Sequence, residues 1–413
     1  MAEPLVLKEY QELNEQNLDC DLDKLQSFLK CQNLEPALKI TRQVIKTKSW
    51  VGVIKYKKLH LEILPKLICD KNDNTQILNN LLFMLSYTKK LNIKTSNVAK
   101  LSTSKNPFIE VLIREFTQSL FDSLKRFTPK KYVREEENLN YLKGNLKFSE
   151  NIRYNSSNQT KFYCEFDEFS ENNLLNQLFL FVSTCLYNIS NDSYNKKTIK
   201  FIMNYYSDIQ LIRFDRFKAE KIKLSRNQEL FRKPFTLAKM FVERTSVDLS
   251  KNKFENITLI WDMNKLFEEF IFEIMKKSQN EWGWEFVAQK GKRLLCGDTN
   301  KKRNTFVDIY CKRNSDSYSI ILDTKYKKLQ SSDDFSNADV FQVSSYCLLH
   351  GAKHAILLYP RYDEEKPIIP DYHLNTEDKN YKINFKTINL KYGNLKDELE
   401  SIKNEIKEFL NVA

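Results

Sequence analysis

The chain reads as α/β, and its last third reads as a compact unit with a mixed sheet flanked by helices. Three observations predict this. Residues 259–277 carry apolar side chains at helical spacing. Short apolar runs of strand type follow around 284–287, 306–309 and 318–322. A second helical stretch over 338–349 then leads into the apolar run 355–360. Helix, strands, helix, strand is the order that lays helices against a sheet.

The elements follow in chain order. Residues 1–9 lack a basic stretch followed by an apolar one, so no signal peptide is expected. Residues 51–54 and 59–64 read as two strands joined by the basic turn 55–58, and Pro65 ends the second. Leu78, Leu81, Leu82 and Leu85 predict a helix over 78–91. Pro107 lies near the start of another, which carries Ile109, Leu112, Ile113, Phe116 and Leu120. Pro129-Lys130-Lys131 reads as a turn, and 142–146 as strand or turn. Residues 151–160 are rich in Asn, Ser and Gln and read as a loop, hairpin tip or domain boundary. Residues 172–208 read as helical with a polar loop at 190–197. Residues 224–242 are again helical, with Pro234 marking a start or a kink. On the 259–277 helix, Met263, Leu266, Phe267, Phe270, Ile271 and Ile274 form the apolar side. Pro360 is expected to stop the 355–360 strand, and Leu395, Leu399, Ile402, Ile406 and Phe409 predict a terminal surface helix.

With 413 residues and 41% hydrophobic content, the chain can build two or three cores. Its formal net charge of +12 favours a polyanionic partner. The eight cysteines form no CxxC pair, which suits free thiols in a reducing cytoplasm. No apolar run is long enough to span a bilayer, so a cytoplasmic protein is expected, with no membrane partner. The four histidines suggest no metal cluster.

The chemistry concentrates in the last third. Asp308 follows the apolar pair Phe306-Val307, and Asp323-Thr324-Lys325 closes the apolar run 318–322. If those strands are neighbours, the two carboxylates offer the oxygen ligands that Mg2+ requires. Period-two alternation places Asp323 and Lys325 on one face, where the lysine can orient a water and offset phosphate charge. Thr324 then points the other way, with its carbonyl available as a further ligand. Glu268 and Glu269 lie on the long helix, and helical phase alone does not choose between them. Gln342 and Tyr346, four apart on the next helix, can frame the lysine. Lys290, Lys292 and Arg293, then Lys301, Lys302 and Arg303, then Lys327 and Lys328, are candidates for phosphate contacts.

The order Glu268, Val307-Asp308, Asp323-Thr324-Lys325, Gln342-x-x-x-Tyr346 resembles the PD-(D/E)xK nuclease superfamily. More narrowly, the chain resembles the McrC family, the nuclease subunit of McrBC modification-dependent restriction systems. Val51-Gly52-Val53-Ile54 with Leu61-Glu62-Ile63-Leu64-Pro65-Lys66 is similar to the family's first signature. So are Tyr132-Val133, Glu136 and Leu142-Lys143-Gly144-Asn145-Leu146 to its second. Cys164-Glu165-Phe166-Asp167-Glu168-Phe169-Ser170 with Asn172, Asn173 and Asn176 resembles a third. Asp262-Met263-Asn264-Lys265-Leu266-Phe267-Glu268 resembles a fourth and favours Glu268 over Glu269. Phe341-Gln342, Tyr346 and Leu358-Tyr359-Pro360 fit the end of the domain. Two departures stand out: Val307 replaces the usual proline before the first Asp, and Asn145 replaces a frequent arginine.

The resemblance implies an endonuclease subunit with catalytic residues Asp308, Asp323, Lys325, Glu268, Gln342 and Tyr346. It implies one or two Mg2+ per site, held by Asp308, Asp323, Glu268 and the Thr324 carbonyl. It also implies a partner, an McrB-like hexameric AAA+ GTPase that reads modified cytosine in double-stranded DNA. GTP would act only through that partner, consistent with the absence here of a G-x-x-x-x-G-K-[S/T] loop. Nuclease domains would pair for double-strand cleavage. The expected organisation is a docking domain over 1–160, a largely helical connection over 161–250 that belongs to the nuclease half, and a PD-(D/E)xK endonuclease domain over 251–413. The basic turn 55–58 and the polar stretch 151–160 are the candidates for loops entering the ring. The rival readings are a repair or recombination nuclease working with a helicase, and a regulator of an AAA+ motor that does not cut.

Overall fold

The computed structural model describes residues 5–14, 21–32, 34–41, 44–57, 59–66, 74–88, 90, 107–157, 160–248, 253–296, 302–329, 331, 334–361, 369–374, 381–390 and 395–412. The chain forms two compact units. The first gathers Met1–Ile54, Lys58–Ser102 and Leu259–Ala413; the second holds Lys55–Lys57 and Thr103–Thr258. This division does not follow the consecutive segments 1–160, 161–250 and 251–413. The first hundred residues are grouped with the last hundred and fifty, and the second unit lies between them in sequence.

One sheet sets Leu5–Lys8 parallel to Leu59–Leu64, which is bonded to Trp50–Tyr56 and that in turn to Lys253–Asp262. Gly52 explains the last contact. Its φ is +126°, and a Cβ there would fall 2.1 Å from the Leu259 carbonyl oxygen. The expected helix over 259–277 begins only at Met263, because residues 259–262 finish this strand. Asp262 caps the helix Met263–Trp282 by accepting from Asn264 N at 2.9 Å. Ser49 holds the same turn: its carbonyl accepts from Met263 N at 2.8 Å and its hydroxyl from Asn264 Nδ2 at 2.8 Å. Met263, Leu266, Phe267, Phe270, Ile271 and Ile274 are all buried, as their spacing predicted. Phe83 and Tyr87 of the helix Asn74–Tyr87 pack edge-on against Phe270. The helix Leu399–Val412 also packs on the long helix, with Ile402, Ile406, Phe409 and Leu410 inward.

Among the described residues the largest sheet has six strands, in the order Trp284–Cys296, Lys302–Arg313, Ser319–Thr324, His354–Arg361, Lys382–Asn389, Tyr372–His373. The first two pairings and the last are antiparallel, and the two between them are parallel. The helix Asn337–His350 makes the crossover between Ser319–Thr324 and His354–Arg361. Its Val343, Tyr346 and Cys347 pack with Ile321, Ala355, Leu357, Tyr359 and Phe385. Pro360 does not stop its strand. It stands opposite Ile388 in a parallel ladder that continues to Arg361.

The second unit centres on helices Pro107–Leu124, Leu174–Tyr187, Ser193–Tyr205 and Arg232–Glu243. A buried carboxylate organises it. Glu110 accepts from Ser190 Oγ at 2.8 Å, Asn195 Nδ2 at 2.7 Å and Asn191 N at 2.5 Å, and Arg114 reaches Asp192 at 2.8 Å. Asp192 caps Ser193–Tyr205, so the loop expected over 190–197 is already helical from Ser193. Pro234 lies in the first turn of its helix. A three-stranded sheet of Lys131–Leu139, Phe162–Ser170 and Asn145–Leu146 completes the unit. Gly144, at φ +66°, turns the chain where a Cβ would meet the Glu165 carbonyl oxygen at 2.4 Å. Asn173 caps Leu174–Tyr187, and it and Asn176 both donate to the Pro129 carbonyl, at 2.9 and 2.8 Å. Asn172 accepts from Gln177 and Gln210. These signature asparagines therefore join segments of backbone.

Two other expectations change. Residues 151–155 belong to the helix Phe148–Asn155 rather than to a loop. Lys55 and Tyr56 of the basic turn are buried, and Lys57, at φ +52°, is exposed. Lys58, Leu91, residues 158–159, Lys301 and the cysteines Cys20 and Cys69 lie outside the described residues. Cys31, Cys164, Cys185, Cys311 and Cys347 are free thiols, and all but Cys31 are buried. Among the described residues no helix is long and apolar enough to cross a membrane.

Gly52→Ala should destabilise the protein by about 3 kcal/mol, because backbone rather than a flexible side chain blocks the new methyl. A denaturant melt checks this. Glu62 gives a pH dependence of the opposite sign to most carboxylates. Burial in its strand pushes its carboxyl from 4.5 up to about 7. Its contribution is therefore complete below pH 4.5 and is lost as pH rises through 7. Glu62→Gln should stabilise the protein at pH 8 by up to about 3 kcal/mol, with the gain fading by pH 5 in parallel melts.

Candidate active site

The antiparallel ladder of Lys302–Arg313 and Ser319–Thr324 has Ile309 opposite Leu322 as its last bonded pair toward the site. The next residues along are Asp308 and Asp323, so one register brings both carboxylates to the same strand end. Asp323 is fully buried, and Asp308 is partly exposed. Asp308 Oδ2 accepts from Thr324 N at 2.9 Å and from Thr324 Oγ1 at 3.1 Å. The Thr324 hydroxyl thus turns toward Asp308, against the alternation that pointed it away. The antiparallel ladder has ended there, so Thr324 meets Asp308 across the open strand end while it stays paired with Leu358 on its other edge.

Lys325 Nζ lies 2.7 Å from Asp323 Oδ2 and donates to Gln342 Oε1 at 2.9 Å. Gln342 Nε2 in turn donates to the Tyr346 hydroxyl at 2.6 Å. Asp323, Lys325, Gln342 and Tyr346 therefore form one continuous polar line from the strand end to the crossover helix. Burial opposes the charge on Lys325, but Asp323, Asp308 and Asp339 outweigh it and hold the ammonium pKa above its ordinary value. Burial raises the Asp323 carboxyl, and the negative charge of Asp308 raises it further; Lys325 offsets only part of this.

The two glutamates of the long helix separate. Glu269 is paired with Lys90 at 3.0 Å. Glu268 lies in the field of Asp308: burial, then the charge of Asp308, pushes its carboxyl up to about 6. Gln289 Nε2 donates to Glu268 Oε1 at 2.5 Å. Gln289 is a site residue that sequence reasoning missed. It falls between the pairs Ala288–Ile309 and Lys290–Val307, opposite Asp308, and its φ of +49° is rare for a residue with a side chain. Only the hairpin register gives it away.

Among the described residues no three His, Cys, Asp or Glu side chains stand close enough to coordinate one ion as placed. The donor set nevertheless suits a hard cation. Asp308, Asp323 and Glu268 present only oxygen, Asp323 Oδ1 is buried without a hydrogen-bond partner, and the charge of Asp308 raises both neighbouring carboxyls. A divalent cation would relieve that repulsion.

Of the basic candidates, Lys290 lies 3.2 Å above the Tyr310 ring and Lys327 is paired with Asp339. Arg293, Arg303 and Lys328 are exposed. The side chain of Lys302 lies outside the described residues. His354 is buried against Asn384, away from this cluster.

The chain superposes on a chain of the refined half-complex of Thermococcus gammatolerans McrB AAA+ hexamers with bound McrC. The TM-score is 0.75 at 21% identity, covering 99% of each chain. A chain of the Thermococcus gammatolerans McrBC complex gives a TM-score of 0.53 at 24% identity, over 67% of this chain and 88% of that one. Likeness at these identities is a likeness of fold. A search of curated proteins finds no match. Residues 45–360 match the family described as McrBC 5-methylcytosine restriction system component, from the first signature strands through Pro360. The chain belongs to that family.

Proposed function

We propose that this protein is the McrC-type endonuclease subunit of a GTP-driven, modification-dependent restriction complex, and that it hydrolyses DNA phosphodiesters at Asp308, Asp323, Lys325 and Glu268. The observation that carries this reading is the polar line from Asp323 through Lys325 and Gln342 to Tyr346, beside Asp308 and Glu268. Asp308, Asp323 and Glu268 would hold Mg2+, with the Thr324 carbonyl as a further ligand. Bound there, the ion would neutralise phosphate charge and acidify a water. Lys325, anchored on one side by Asp323 and on the other by Gln342, holds its ammonium where a phosphate oxygen or attacking water can be met. Gln342 fixes the direction of that ammonium, and Tyr346 fixes Gln342. Arg293, Arg303 and Lys328 offer phosphate contacts that carry no base information, so reading of modified cytosine belongs to the partner.

The partner in this reading is an McrB-like AAA+ GTPase hexamer, as in the Thermococcus gammatolerans assembly of McrB AAA+ hexamers with bound McrC. The second unit offers a surface for it. Tyr132, Phe148, Ile152 and Phe169 are more than half exposed on the small sheet and its helix. Tyr132 packs on Phe169 at one end of the small sheet, while Phe148 and Ile152 lie on the helix that meets Tyr163 toward the other, so the unit offers two separate exposed apolar positions as candidate contacts.

Cleavage in the reconstituted complex tests the active site. Asp308→Ala, Asp323→Ala and Lys325→Ala should each slow it by about 100- to 1000-fold while leaving stimulation of the partner's GTPase intact. Cutting at the wild-type rate by any of the three would overturn the assignment. The surface is tested separately. Phe148→Ser with Ile152→Ser should weaken binding to the ring by about tenfold or more, measured by gel filtration or interferometry, without lowering the melting temperature.

A further inference from the structure

The strand end that carries Asp323 and Lys325 is held from a distant part of the chain. Tyr326, the next residue, is buried, and its hydroxyl donates to Glu9 Oε2 at 2.9 Å. The same oxygen accepts from Lys66 N at 3.0 Å, and Glu9 N donates to the Leu64 carbonyl at 3.1 Å. Glu9 is itself buried at the end of Leu5–Lys8, where that strand leaves its parallel pairing with Leu59–Leu64. The Tyr326 ring packs against Phe267 at 5.9 Å between centroids, and Phe267 precedes Glu268. All of these residues belong to the first unit.

Beyond Thr324 the sheet gives the segment little support. Lys325 N donates to the Leu358 carbonyl at 2.9 Å, and Lys327 N folds back on the Lys325 carbonyl at 2.9 Å. Tyr326 is the inward-facing anchor of this turn. We propose that Glu9 is a positioning residue for the active site: by fixing the Tyr326 hydroxyl, it sets the backbone from which Asp323 and Lys325 project and the packing beneath Glu268. The role rests on the reading of Asp308, Asp323 and Glu268 as the metal-holding carboxylates. Glu9 touches neither substrate nor metal in this scheme. It acts on them through one hydroxyl and one ring.

The test uses the full chain without DNA or partner. Binding of Mn2+, as a paramagnetic stand-in for Mg2+, is followed by electron paramagnetic resonance titration. Tyr326→Phe removes only the hydroxyl, and Glu9→Leu removes the acceptor of both Tyr326 and Lys66 N; each should weaken Mn2+ binding by about tenfold. Glu9→Gln keeps an oxygen that accepts from both donors and should bind within about twofold of wild type. Asp323→Asn serves as the reference and should lose the site. Wild-type affinity in both Tyr326→Phe and Glu9→Leu, with Asp323→Asn defective, overturns the positioning role and leaves the site assignment standing. Wild-type affinity in Asp323→Asn overturns the site assignment and the positioning role with it. If Glu9→Leu does not fold, Tyr326→Phe decides alone.

Discussion

Asp308 and Asp323 stand one residue past the last bonded pair, Ile309 and Leu322, of two antiparallel strands. Strand pairing with a period of two makes that register unforgiving: a slip of one residue would send one carboxylate to the opposite face. The surrounding packing excludes the slip. Val307, Ile309 and Cys311 are fully buried and alternate with the more exposed Phe306, Asp308 and Tyr310, so a slip would turn three apolar side chains outward. Two like charges are thus brought to one strand end by the hydrophobic pattern of the strands behind them. Lys325, Gln289 and Thr324 then arrange themselves around the resulting negative field.

Much of this is legible in the sequence. Apolar periodicity gave the long helix, its buried face and the strands, because burial imposes those spacings directly. The pair Asp323 and Lys325 was legible for the same reason. Boundaries were less so. The helix expected from residue 259 starts at Met263 because Gly52 allows Leu259 to approach another strand, a contact that local pattern does not encode. Pro360 suggests a stop from local pattern, yet its strand continues in a parallel ladder. Gln289 and Glu9 were invisible for a deeper reason. Their partners lie 21 and 317 residues away, and nothing in their own neighbourhoods marks them.

The signature residues divide by task. Gly52 and Gly144 mark places where backbone approaches backbone. Asn172, Asn173 and Asn176 bind loops to a helix start, and Asp262 with Asn264 sets the direction of the helix that carries Glu268. Few of the motif positions carry chemistry; most fix the frame in which chemistry is done. Several short polar side chains at helix starts achieve what a larger core would otherwise have to do.

The order in which the chain is synthesised acts on these units unequally. Apart from Lys55–Lys57, the second unit is continuous in sequence, from Thr103 to Thr258. Its contacts can all form once that stretch has left the ribosome. The first unit is split: Leu5–Lys8 can pair early with Leu59–Leu64, but Trp50–Tyr56 must wait for Lys253–Asp262, about two hundred residues downstream. Loop closure over that distance is slow, and exposed strand edges invite wrong pairings meanwhile. The inserted unit shortens the delay. Once folded, it replaces about one hundred and fifty flexible residues with a compact body, so less chain entropy opposes closure of the first unit.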